Sequence, residues 1–188
     1  MRLFVALDLP AEVRASLSEL TSRLKKTCRG PRWVRLEDVH VTLKFIGEVP
    51  DEQVERIRSA LAEIRGLAPV EMRFAGLGFF PNERRPRVFW AGIEAGPPLA
   101  ALASAIEAKL EPLWIARETR EFQPHITLAR LNSMEGVSAL QTAVKEATAT
   151  EFGRATATDF YLYRSILKSS GAEYTRLAAY SFIGDPRS

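Results

Sequence analysis

The sequence predicts an α+β fold built from two similar β-α-β-α lobes. Three observations predict it. Short apolar runs of strand length alternate with longer stretches of helical periodicity. The order strand, helix, strand, helix occurs twice. Several residues of the second pass also follow counterparts in the first at one fixed offset.

Residues 3–7 are apolar and bounded by Asp8 and Pro10, which marks a short buried strand. Pro10 suits the first turn of a helix, and Val13, Leu17, Leu20 and Leu24 recur at helical spacing. Cys28-Arg29-Gly30-Pro31 ends that helix. Residues 33–46 carry strand-like alternation, clearest from His40 onward. Pro50-Asp51 opens a second helix with Val54, Ile57, Leu61 and Ile64 on one face. Residues 70–80 read as a strand, and Pro81-Asn82-Glu83-Arg84-Arg85-Pro86 as a basic turn.

The second pass begins with a strand at 88–93. Gly96-Pro97-Pro98 then opens a helix carrying Leu99, Leu102, Ile106 and Leu110. A connection leads to a strand at 122–131 and a shorter helix at 136–147 bearing Val137, Leu140 and Val144. Residues 152–166 and 174–183 read as closing strands, with a turn at Ser169-Ser170-Gly171. An offset of 85, the separation of His40 and His125, also takes Phe4 to Phe89, Ala6 to Ala91, Leu17 to Leu102, Thr42 to Thr127 and Leu43 to Leu128. Strand–helix alternation is common to many chains. The constant offset is what indicates duplication. The expectation is one bilobal domain over 1–188, with a repeat at roughly 1–80 and 86–166 and a closing strand at 174–183. Related lobes would place equivalent residues across a shared groove.

Bulk properties narrow the function classes. The chain has 188 residues, enough for one domain with a real core, and a formal net charge of +3, which leans weakly toward an anionic ligand. One cysteine, Cys28, leaves no intramolecular disulfide and no thiolate metal cluster. The apolar run at the N-terminus is too short for a signal peptide, and no stretch reaches the length of a membrane span. The expectation is therefore a cytoplasmic protein with no membrane partner. Nothing demands more than a monomer.

The most informative segments are His40-Val41-Thr42-Leu43 and His125-Ile126-Thr127-Leu128, which hold the only two histidines. Successive side chains of a strand point to opposite faces. His40 and Thr42 therefore share one face, as do His125 and Thr127, while the apolar partners face the core. A lone histidine is usually a surface or packing residue; two in duplicated contexts point to function. Imidazole titrates near neutral pH, so one can accept a proton while the other, charged, donates one. Cleaving a phosphodiester needs those two jobs on opposite sides of phosphorus. Threonine hydroxyls can donate hydrogen bonds to the non-bridging oxygens. Neither histidine lies in a metal-ligating pattern, and no nucleophile motif is present. The residues leave open which histidine is the acid.

Supporting candidates follow from parity and residue type. Lys44 shares parity with His40 and Thr42, so it could face the phosphate or simply cap the strand in solvent. Arg130 has the opposite parity to His125 and Thr127 and should point away unless the strand bulges. Trp33 or Phe122 could stack on a base, or simply pack. Arg84, Arg85 and Arg87 make a basic turn that could follow an RNA backbone or stay solvated.

These residues resemble the two-histidine phosphoesterase superfamily, named for paired H-x-T-x motifs, and within it the LigT-like branch. The resemblance spans nearly the whole chain. It runs from Met1-Arg2-Leu3-Phe4-Val5-Ala6-Leu7 and Arg32-Trp33-Val34 through His40-Val41-Thr42-Leu43-Lys44-Phe45-Ile46-Gly47 and Arg85-Pro86-Arg87-Val88-Phe89-Trp90-Ala91-Gly92. It continues in Phe122-Gln123-Pro124-His125-Ile126-Thr127-Leu128-Ala129-Arg130, Arg164-Ser165 and Gly171-Ala172-Glu173-Tyr174. The resemblance implies mainly antiparallel sheets facing a central cleft. It implies hydrolysis of RNA 2′,3′-cyclic phosphates to 2′-phosphomonoesters, without cofactor or metal. It implies His40 as proton donor, His125 as proton acceptor and a basic residue at Arg130, which joins Thr42, Thr127 and Lys44 as the expected phosphate-binding residues. The expected partners are RNA ends, tRNA fragments among them. Two other readings use the same residues: joining a 2′,3′-cyclic phosphate to a 5′-hydroxyl in a 2′-5′ linkage, and RNA binding without catalysis.

Overall fold

A computed structural model describes residues 1–147, 150–168 and 171–184. Strand β1 (Arg2–Leu7) leads into helix α1 (Ala11–Thr27), whose Val13, Leu17, Leu20 and Leu24 are buried on one stripe. Lys25 and Lys26 in its last turn complement the helix dipole. A two-residue strand β2 (Arg32–Trp33) and a 3-10 turn (Leu36–Asp38) precede β3 (Val41–Glu48). Helix α2 (Val54–Ala62), strand β4 (Val70–Phe80), strand β5 (Val88–Ala95) and helix α3 (Pro97–Leu110) follow in the expected order. Pro97 opens α3, where a missing N–H costs nothing. Strand β6 (His125–Arg130), helix α4 (Val137–Glu146) and strands β7 (Glu151–Ala157), β8 (Asp159–Lys168) and β9 (Gly171–Ser181) complete the chain. The fold is α+β: the described residues form four helices and two sheets, with every strand pair among them antiparallel.

Two boundaries differ from expectation for identifiable reasons. β6 starts at His125 rather than at 122, because Pro124 has no N–H for the ladder. The strand expected at 152–166 divides at Thr158 into β7 and β8, which belong to different sheets. Apolar patterning registers burial but not a change of partner. Of the turn expected at Ser169-Ser170-Gly171, the two serines lie outside the described residues.

The sheets take strands from both halves of the sequence. One has the order β3-β1-β8-β9, the other β2-β6-β5-β4-β7. β4 thus joins the sheet of the second motif, and β8 and β9 join that of the first. The segments 1–80 and 86–166 therefore do not correspond one to each sheet. The pairing also corrects two of the matched positions. Phe4 pairs with Phe45 and Ala6 with Thr42, while Val88 pairs with Arg130 and Trp90 with Thr127. Relative to the motif strands, Phe4 corresponds to Val88 and Ala6 to Trp90, one residue short of the 85 offset. A slip of one residue exchanges the faces of a strand. Phe89 and Ala91 accordingly lie in the main core, whereas Phe4 and Ala6 lie on the opposite face of their sheet with Tyr163.

The main core is one contiguous apolar cluster shared by both sheets and all four helices. No helix among the described residues is long and apolar enough to cross a membrane.

Candidate active site

His40 immediately precedes β3 and His125 opens β6. β3 is the edge strand of its sheet and comes into contact with β6 of the other, so the two motif strands meet. The His125 imidazole is tied to the backbone two residues upstream. His125 Nδ1 lies 2.8 Å from the Gln123 carbonyl, which can only accept, so Nδ1 carries the proton and Nε2 is left for chemistry. The Asp38 backbone is near enough to His40 to favour its charged form.

The surroundings of the two rings differ. His40 packs against the Tyr163 ring at 4.3 Å between centroids, with Phe4 and Tyr174 presented edge-on at 5.8 and 5.7 Å. His125 meets the edge of Phe80 at 5.0 Å, and Phe80 lies 5.2 Å from Trp90. Gly78 leaves the room that the Trp90 ring fills: a Cβ there would come within 2.3 Å of it. Burial pushes the His40 pKa below the usual histidine value, opposed chiefly by the Asp8 carboxylate and then by the Asp38 backbone, while Arg14 adds to the lowering. The fold therefore favours neutral His40. That contribution to stability is present above the ordinary histidine pKa and is lost as pH falls through the depressed one. An arriving phosphate anion would favour the charged form.

Cross-strand pairing places the threonines. Thr42 stands beside Ala6, on the face that holds Phe4, Tyr163 and His40. Thr127 stands beside Trp90, on the face of Phe80 and His125. Beyond each threonine comes a β-bulge. Between Val5–Lys44 and Ala6–Thr42, Leu43 has no partner; between Phe89–Ala129 and Trp90–Thr127, Leu128 has none. A bulge adds one residue to a strand and reverses the parity beyond it.

The bulges decide two of the expected residues in opposite senses. Lys44 does not face the site, which corrects its assignment as a phosphate ligand. It pairs with core residue Val5 and is 5% exposed, and its Nζ donates to both Glu107 carboxylate oxygens at 2.8 Å and to the Ala116 carbonyl at 2.6 Å. Its donors are spent on α3 and on the segment leading to His125. Arg130 turns the other way. It is exposed and pairs with Val88, which also pairs with Phe80, so it stands on the His125 face. Its charge is felt by Tyr174 across the junction, together with those of Asp38 and Arg2.

Alternation alone missed Phe45. The first bulge turns it onto the His40 side, 6.3 Å from Phe4, with 71% of its surface exposed. Its position matches Arg130 at the 85 offset. Trp33 and Phe122, the expected stacking rings, are half-buried against the core, Trp33 edge-on to Phe89 at 6.1 Å. Arg84, Arg85 and Arg87 are exposed, and Asn82 Oδ1 accepts from the backbone N–H groups of the first two.

The profile described as LigT like Phosphoesterase matches residues 7–90 and 93–174. The chain belongs to the LigT-like phosphoesterase family. An Archaeoglobus fulgidus protein named RNA 2′,3′-cyclic phosphodiesterase is 33% identical to this LigT-like chain over 180 residues, 96% of this chain and 99% of that protein. The crystal structure of TT0787 of Thermus thermophilus superposes with a TM-score of 0.80 at 35% identity, covering 98% of this chain and all of that one. Escherichia coli LigT complexed with 3′-AMP gives a TM-score of 0.74 at 28% identity, covering 96% and 97%. In the LigT-like fold of this chain, both H-x-T-L motifs end in the same bulge, and the second residue beyond it is Phe45 in one strand and Arg130 in the other.

Proposed function

We propose that this LigT-like phosphoesterase hydrolyses RNA 2′,3′-cyclic phosphate ends to 2′-phosphomonoesters, with His40 as proton donor and His125 as proton acceptor. The observation that carries this reading is the meeting of two bulged strands, each with a His/Thr pair on one face. Water attacks phosphorus and the P–O3′ bond breaks. Nε2 of His125 takes a proton from the water, and the His40 imidazolium gives one to the departing O3′. Thr42 and Thr127 donate hydrogen bonds to the non-bridging oxygens, and Arg130 offsets their charge. The protonated His125 and neutral His40 then exchange protons with solvent. Oligoribonucleotides and tRNA fragments present the same terminus, and one chain supplies every group named.

The test is product analysis on a defined RNA ending in 2′,3′-cyclic phosphate, in excess chelator. The expected product is the 2′-phosphomonoester at an undiminished rate. A 3′-phosphate product, or loss of activity with chelator, overturns the reading. Joined product in the presence of a 5′-hydroxyl RNA would favour ligation instead.

The exposed Phe45 ring supports a place for the terminal base. Phe45→Ala is expected to weaken oligoribonucleotide binding by about 1–3 kcal/mol. A ribose 2′,3′-cyclic phosphate lacking a base should show no change in KM. Equal loss on both substrates would remove Phe45 from that role.

A further inference from the structure

We propose that Asp8, held by Tyr163 and Arg176, is a positioning carboxylate for His40, fixing the ring it packs on and supplying negative charge for its imidazolium. Among the described residues this assembly stands behind His40, whose ring packs on Tyr163. Asp8 follows directly on β1, Tyr163 comes from β8 and Arg176 from β9, so three neighbouring strands of one sheet build it.

The contacts form a closed set. The Tyr163 hydroxyl donates to Asp8 Oδ1 at 2.5 Å. Arg176 donates to Asp8 Oδ2 and, at 3.2 Å, to the Tyr163 hydroxyl oxygen. The Arg176 guanidinium also lies over the Tyr161 ring, 3.9 Å from its centroid, which limits where it can go. Tyr163 is 5% exposed, and its ring is the closest aromatic neighbour of His40 at 4.3 Å. Burial and the bond to Asp8 push the Tyr163 hydroxyl up to about 12, so it stays a donor throughout the range where histidine titrates.

Charged groups near His40 act in both directions. Asp8 and the Asp38 side chain favour its charged form; Arg14 opposes it. Arg14 is committed elsewhere, donating to the Leu36 carbonyl and, at 3.4 Å, to that of Leu9. Tyr163 and Tyr174 are the remaining titratable neighbours, and both stay neutral below pH 10 because burial raises them. Asp8 is thus the main carboxylate opposing the desolvation of a half-buried imidazole. A carboxylate that stabilises the imidazolium keeps a proton donor charged until it acts. That the charged His40 is the proton donor rests on the function proposed above.

The chain's two histidines give two imidazole signals, so an NMR titration reads each separately. In Asp8→Asn the His40 midpoint should fall by about half a unit or more while that of His125 stays. The same variant should lose turnover roughly tenfold or more with little change in KM, and the high-pH limb of its rate profile should move to lower pH. Tyr163→Phe keeps the ring but frees Asp8, and should move the His40 midpoint the same way by less. Unmoved His40 midpoints in both variants, or equal shifts of both histidines, overturn the proposal. Movement of the low-pH limb instead would make His40 the acceptor and overturn the donor part. The titrations need no substrate, so they stand or fall apart from the proposed RNA activity.

Discussion

Replacing His40 or His125 by alanine lowers turnover on a 2′,3′-cyclic phosphate by about 10²- to 10⁴-fold each, the usual worth of a positioned acid or base. The double variant loses little more than either single one, because the two groups act in one proton-transfer event and their effects do not add. Binding of a non-cleavable nucleotide should change far less, since Thr42, Thr127, Arg130 and Phe45 remain. Thermal unfolding separates chemistry from folding. Both imidazoles are only half-buried, and both motif strands keep their core residues Val41, Leu43, Ile126 and Leu128. His40→Ala does leave a gap beside Tyr163, so a small loss of stability accompanies it. A variant retaining a tenth or more of normal turnover would take that histidine out of the mechanism.

The second large effect is on stability and lies at Lys44. Truncation to alanine strands the Glu107 carboxylate, whose side chain is 17% exposed, and frees the Ala116 carbonyl. Breaking a buried pair from one side costs about 3–5 kcal/mol. For a chain of this size each kcal/mol lowers Tm by about 2–4 °C, so scanning calorimetry should read a drop of roughly ten degrees. Changing both partners, Lys44→Met with Glu107→Leu, should recover most of the loss, because two apolar side chains need no partners. The double variant also tests the site. Were Lys44 a phosphate ligand, KM would rise steeply in a protein of normal stability. The expected KM is within about threefold of the parent, the gap between losing a surface contact and losing a charge on the phosphate.

Where reading the chain worked, local physics was sufficient. Helix α1 follows from Val13, Leu17, Leu20 and Leu24 at helical spacing behind a proline, and strand β4 from an apolar run between turn signals. His/Thr on one face and Val41 or Ile126 on the other follow from the two-residue period of a strand. Where it failed, the missing information was relational. The bulges at Leu43 and Leu128 leave no mark in composition, since leucine suits a regular strand equally well. They exist because the partner strands are one residue shorter across that stretch. From them come the burial of Lys44, the outward turn of Arg130 and the exposure of Phe45. Asp8, Tyr163 and Arg176 were likewise invisible as a group. They lie far apart along the chain and meet only because β1, β8 and β9 are neighbours.

The sequence by itself determined the two His/Thr pairs, their repetition, the order of strands and helices, and the family. Each is a matter of residue type at short spacing, which a chain carries before it folds. The tertiary structure alone decided which strands share a sheet, which face each residue takes beyond the bulges, and that Asp8, Tyr163 and Arg176 assemble behind His40. Those depend on pairing between distant segments, and a single extra residue in a strand decides whether the basic side chain beyond it is buried in an ion pair or stands exposed on the face of the histidine.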